Sequence, residues 1–203
     1  MFHFTQEILK KGLDYDDFIQ LSDDILVQKE HLPPYDDPFY LSYTNANHRR
    51  RKKLLSEIML HKKLYNELAD GISNWTWIVI DEPWCGDASF IVPILKAMEL
   101  AAGGDIEMKL FLRDEHPAIM EQYLTNNGKS IPKLICLDKN LNELGHWGPR
   151  PQNLSVLVKE WVDENIDMNE KIKRVNRWYH KDNGESVQKE FINLIKNWKN
   201  KQA

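Results

Sequence analysis

Cysteine is scarce in this chain. Its 203 residues hold two, Cys85 and Cys136. Two thiols make no disulfide framework, and they fall short of the four paired Cys/His ligands a structural zinc site needs. The seven histidines do not help, because no two stand three or four residues apart. Long apolar runs are missing too. None approaches the ~20 residues a membrane-spanning helix requires, so no membrane partner is expected. Met1 to Lys11 lacks the apolar core of a secretory signal, which points to the cytoplasm. Positive charge is not in excess either. A net charge of -4 argues against nucleic acid as a partner.

What is present is a globular composition: 42% hydrophobic and 29% charged residues, with a mean hydropathy of -0.57. The length suits one domain with additions, or two small ones. One basic run stands out, His48-Arg49-Arg50-Arg51-Lys52-Lys53. It reads as a polyanion or partner patch, or as the solvated opening of a long helix. Leu54, Leu55, Ile58, Met59 and Leu64 continue at helical spacing and favour the helix.

Residues 1 to about 70 read as helical. Thr5–Lys11 and Asp16–Lys29 come first, and Pro33, Pro34 and Pro38 break the pattern. One long helix is expected from about Asn45 to Ala69, stopped by Asp70-Gly71. The period then changes. Trp75–Ile80 is nearly all apolar, as in a strand covered on both faces. A turn with Pro83 and Gly86 follows. Then come a helix over Ser89–Ala102, a strand over Glu107–Leu112, a helix over Pro117–Asn126, strands over Lys133–Leu137 and Leu144–Trp147, and a helix from Asn153. The order β-α-β-α-β-β-α predicts an α/β fold, a mixed sheet flanked by helices. The remainder is helical, with apolar stripes on either side of Asn183-Gly184.

Cys85 sits directly after an apolar strand and directly before a helix. A thiol there lies near the positive end of the helix dipole, which favours thiolate and lowers its pKa. Thiolate is both nucleophile and leaving group in disulfide exchange. The alternative is a buried structural cysteine.

The segment Trp84-Cys85-Gly86-Asp87-Ala88 resembles the Trp-Cys-Gly-Pro-Cys site of thioredoxins. Pro93 stands where that family kinks its active-site helix. Ile131-Pro132 resembles the Ile-Pro whose cis bond faces the active cysteine, and Gly145 to Gly148 matches the family's last strand and its exit. The likeness covers about Trp75 to Asn165. The flanks, including Trp147-Gly148-Pro149-Arg150-Pro151 and Trp178-Tyr179, are similar to a bacterial thioredoxin-like group with a single-cysteine motif and helices added at both ends. The resemblance implies an N-terminal helical extension over 1–73, a thioredoxin-like domain over 74–166, and a C-terminal helical extension over 167–203 packed on the core.

The departures from that pattern matter. Ala88 stands where the resolving cysteine belongs, and Val79 where thioredoxins keep a buried acid. Asp87 replaces a proline; it either opposes thiolate formation or caps the helix, the favoured role. Cys136 lies ~13 Å along a strand from Pro132, too far to bridge to Cys85, and reads as core. Lys133, Arg113 and Arg150 are cations that either support a thiolate or are ordinary solvated charge. Trp147–Pro151 reads as a rigid turn or a partner contact.

The expected catalytic residue is Cys85, with Trp84, Gly86, Asp87, Ile131 and Pro132 in support and no metal ligand. The expected function is monothiol redox exchange with a protein disulfide or a small thiol. No bound cofactor is expected, though glutathione or another low-molecular-weight thiol would serve as co-substrate. The alternative is a non-enzymatic interaction module. Trp161, Trp178, Trp198 and Phe191 supply apolar surface for self-packing or for a weak dimer.

Overall fold

A computed structural model describes residues 2–202. Thirteen elements follow one another: α1 (Gln6–Leu9), α2 (Tyr15–Val27), α3 (Pro38–Glu57), α4 (Lys62–Ala69), β1 (Trp75–Asp81), α5 (Gly86–Ala101), β2 (Ile106–Leu112), α6 (Pro117–Met120), β3 (Lys133–Leu137), β4 (Glu143–Trp147), α7 (Gln152–Asp163), α8 (Met168–Asp182) and α9 (Glu185–Gln202). The sheet order is β2-β1-β3-β4. β2 runs parallel to β1, while β3 and β4 are antiparallel to their neighbours. The mixed α/β architecture expected from the alternating pattern is therefore present.

β1 is central and buried along its whole length. Trp77, Ile78, Val79 and Ile80 are fully enclosed, each contributing roughly 1.5–3 kcal/mol of burial. The C-terminal helix covers one face of the strand. Trp198 on α9 meets Trp75, and Phe191 on α9 meets Trp77 and Trp147, edge to face. Much of the apolar surface of α9 is spent on the chain's own core.

Two helical expectations need correction. The single helix expected over Asn45–Ala69 is two helices, separated at Ile58–His61. Ile58 is extended and His61 is non-helical at the break, and Gln188 on α9 accepts the His61 backbone N–H at 2.8 Å. The helix expected over Pro117–Asn126 ends at Met120; Asn126 and Asn127 adopt positive φ, and Thr125 pairs back to Gly128 instead. By contrast, Asn183 and Gly184 do take left-handed conformations, and they separate α8 from α9.

Candidate functional site

α5 opens at the carboxyl end of β1, and Cys85 is its N-cap residue. The Cys85 N–H donates to the Glu82 carbonyl at 2.9 Å, so the turn from Glu82 to Cys85 closes on itself. The Ile131–Pro132 bond is cis, and the Cys85 thiol donates to the Ile131 carbonyl at 3.5 Å. Cys85, Trp84, Gly86, Asp87 and Ile131 line one cleft of about 660 Å3. Pro132 stands beside it through its bond to Ile131. Cys136 is fully buried on β3, opposite Trp77, and both cysteines are free.

The thiol's environment overturns one expectation. Position at a helix start predicts a lowered pKa, yet the Cys85 thiol is pushed far up. Burial is the largest cause, followed by the Asp81 and Asp87 carboxylates; the Ala88 N–H and Arg51 pull weakly the other way. Only 5% of Cys85 is exposed. Desolvation at that depth outweighs the dipole of one helix end.

Asp87 is not a cap, because α5 has no side-chain cap. Its carboxylate is held in a fork by Arg150, Nε to Oδ1 at 2.9 Å and Nη2 to Oδ2 at 2.6 Å. Tyr179 on α8 donates a further bond to Oδ1 at 2.8 Å, and its ring stacks on Phe90. The Trp147–Pro151 loop delivers Arg150 to this point. Gly148 permits it: φ is +111°, and any Cβ there would collide with the Pro132 carbonyl.

The three candidate cations differ. Arg150 is committed to Asp87. Arg113 lies over the Trp84 ring at 4.7 Å and pairs with Asp114 at 2.8 Å. Lys133 is neither solvated nor a thiolate partner. It is buried, and its Nζ donates to the Gly148 carbonyl at 2.8 Å, fixing the loop.

The basic run gives the largest surprise. It lies mid-helix in α3 rather than at a helix opening, and only Arg49, Lys52 and Lys53 form a solvated face. Thr44, Asn47, His48 and Arg51 are all buried at helical spacing. Arg51 and Asp81 form an ion pair at 2.9 Å with both side chains fully enclosed. Arg51 also donates to the carbonyls of Pro83 at 3.0 Å and Glu82 at 3.2 Å, so α3 grips the turn that carries Cys85. Tyr40, about three turns before Arg51 on α3, meets Trp84 edge to face. Hydropathy alone misses this because the inward face of α3 is polar. The signal was Asn47 and Arg51 at i and i+4, set inward on a helix.

Burial pushes Asp81 up to about 6 and Glu82 up to about 7. Unfolded carboxylates titrate near ~4. Between that value and the folded ones, the folded chain binds the extra protons, so these two groups make stability fall as pH rises from ~4 to ~7. His48, lowered by burial, acts in the opposite sense. Glu82→Gln is therefore expected to flatten the decline of the urea midpoint across that window; a steeper decline would contradict the assignment.

With the geometry in place, comparison with known proteins is informative. A family model described as Thioredoxin matches residues 34–162. The chain belongs to the thioredoxin family. The match begins in the proline-rich break before α3, so the family unit includes the helix that grips the Cys85 turn. Among solved structures, a protein of unknown function from Pseudomonas aeruginosa is 19% identical with a TM-score of 0.63, over 97% of this chain and 98% of that one. An HIV epitope-scaffold is 18% identical with a TM-score of 0.62, over 94% and 96%. At such identities the likeness speaks for the fold alone. No curated protein matches. Among the described residues no helix is long and apolar enough to cross a membrane, and no group of three or more His, Cys, Asp or Glu side chains could hold a metal.

Proposed function

We propose that this thioredoxin-family protein is a monothiol exchange protein of the single-cysteine type, with Cys85 as its reactive group. The observation that carries the reading is the placement of Cys85: N-cap of α5, thiol against the cis Ile131–Pro132 bond, on the wall of a cleft large enough for a ligand. The Cys85 thiolate attacks one sulfur of a substrate disulfide. That S–S bond breaks, the other sulfur leaves as thiolate, and the Cys85 proton is lost to solvent. Ala88 supplies no second thiol. A low-molecular-weight thiol such as glutathione then attacks the mixed disulfide and restores Cys85. A lone working thiol stays reduced in the cytoplasm, and we place the protein there. Helices α3, α7 and α8 serve as walls of the cleft.

The test is direct. Reduced protein incubated with glutathione disulfide is expected to gain one glutathionyl group on Cys85, with Cys136 untouched. The adduct is absent in Cys85→Ser, and it forms faster as pH rises to about 9, since thiolate is the attacking form. Iodoacetamide labelling of Cys85 under the same conditions, with no disulfide adduct, sinks the exchange reading.

The second reading is a binding module without exchange chemistry. Burial and two nearby carboxylates favour it, because they hold Cys85 as a neutral thiol. On this reading Cys85→Ser retains the protein's cellular function.

A further inference from the structure

The walls of the Cys85 cleft are unusual for a chain of net charge -4. Five cations line it, Arg50, Arg113, Lys129, Arg150 and Lys171, against the single carboxylate of Asp87. Three of them have carboxylate partners: Arg150 with Asp87, Arg113 with Asp114, and Lys129 with Glu121 at 3.7 Å. Arg50 and Lys171 have none within ion-pair reach among the described residues. Arg50 is half-buried on α3, over the Phe90 ring at 4.2 Å. Its Nη1 bonds only neutral oxygens, Asn47 Oδ1 at 2.9 Å and Ser89 Oγ at 2.7 Å. A half-buried guanidinium without an anion is an unfilled half of a pair.

The rest of the lining is apolar and open. Phe39, Val162 and Met168 are 50%, 52% and 63% exposed, and all three line this cleft. They come from three different helices, α3, α7 and α8. Single exposed apolar side chains are ordinary, but three facing one cleft make a patch that a ligand would cover. Ile172 and Val175 on α8 extend it inward. A volume of about 660 Å3 suits a small molecule.

We propose that the cleft binds a small amphipathic anion, an organic acid with an apolar chain. The acid head pairs with Arg50, and the chain lies between α3 and the α7–α8 pair. The inference shares its cleft with the exchange reading, but it rests on the charge and apolar lining rather than on the thiol.

Isothermal titration of the full chain tests it, with dodecanoate and dodecyltrimethylammonium as matched probes below micelle formation. Dodecanoate is expected to bind at least about tenfold tighter, the worth of one charge-assisted hydrogen bond. Arg50→Gln should erase most of that preference. Val162→Glu, at an exposed position that folding does not need, should weaken dodecanoate about tenfold or more by placing a carboxylate beside the chain. Glutathionylation of Cys85 is measured separately on the same protein, which distinguishes this proposal from the exchange reading: binding without glutathionylation refutes only exchange, and glutathionylation without binding refutes only this proposal. Equal affinity for the two probes, no dodecanoate binding, or binding unaffected by Arg50→Gln and Val162→Glu overturns the proposal.

Discussion

Arg51→Ala is expected to lower folding stability by about 3–5 kcal/mol, the cost of leaving a buried charge without its partner. Asp81 is fully enclosed, and Arg51 is its cationic contact at 2.9 Å. Burial already raises the Asp81 pKa to about 6 with Arg51 in place; without it, the carboxyl must take up a proton or remain as an unpaired charge. The same change strips a donor from the Glu82 and Pro83 carbonyls. A buried acceptor left alone costs about 1–3 kcal/mol. The double variant Arg51→Met with Asp81→Leu removes the charge problem but not the orphaned carbonyls, so it should recover part of the loss and not all. Urea unfolding at neutral pH reads all three proteins. A loss under about 1 kcal/mol for Arg51→Ala would show that α3 is not held by this pair.

Asp87→Asn should make Cys85 react faster. Asp87 is the third cause of the raised thiol pKa, after burial and Asp81. Asparagine keeps the shape and can still accept from Tyr179, but it removes one negative charge. It also leaves Arg150, which interacts electrostatically with Cys85, without a counter-charge. Both changes lower the Cys85 pKa. At neutral pH the thiolate fraction, and with it the iodoacetamide rate, should rise about tenfold per unit of pKa lost. Arg150→Gln leaves Asp87 uncompensated and should slow the same reaction. Opposite signs are the diagnostic outcome, because simple loosening of the site would accelerate both variants. If both accelerate, or neither changes, the electrostatic account of Cys85 fails.

Much of the core was legible in the chain. β1 announced itself as an unbroken apolar run, and β3 matched its expected limits at Lys133 and Leu137. Both signals are local: a strand buried on both faces has no polar residue to spare. The stop at Asn183-Gly184 was legible for a similar reason, since those two residues tolerate positive φ at little cost. The long helix before β1 was not. Its break at Ile58–His61 is stabilised by Gln188, more than a hundred residues away, and no local propensity encodes that partner.

The site divides along the same line. Trp84, Cys85, Gly86, Ile131 and Pro132 stood in the sequence as a recognisable constellation. The behaviour of Cys85 did not, because a helix start argues for thiolate whereas enclosure argues for thiol. Enclosure comes from how the chain packs around that start. Arg51 looked like one cation in a solvated run; it is the anchor of the Cys85 turn. Asp87 looked like a cap; Arg150 and Tyr179, from distant segments, claim it instead.

The sequence by itself determined where the thiol stands: at the end of an apolar strand, ahead of a helix, with no second cysteine in its motif. Periodicity and turn chemistry suffice for that, since they act between neighbours in the chain. The tertiary structure alone decided what surrounds the thiol. It brought three arginines, Arg51, Arg113 and Arg150, from separate elements to one end of the sheet, beside the Asp81 and Asp87 that the chain itself sets within four residues of the thiol, and it buried Cys85 among them. Desolvation and Coulomb energy depend on distance in space, and that distance exists only once the chain is folded.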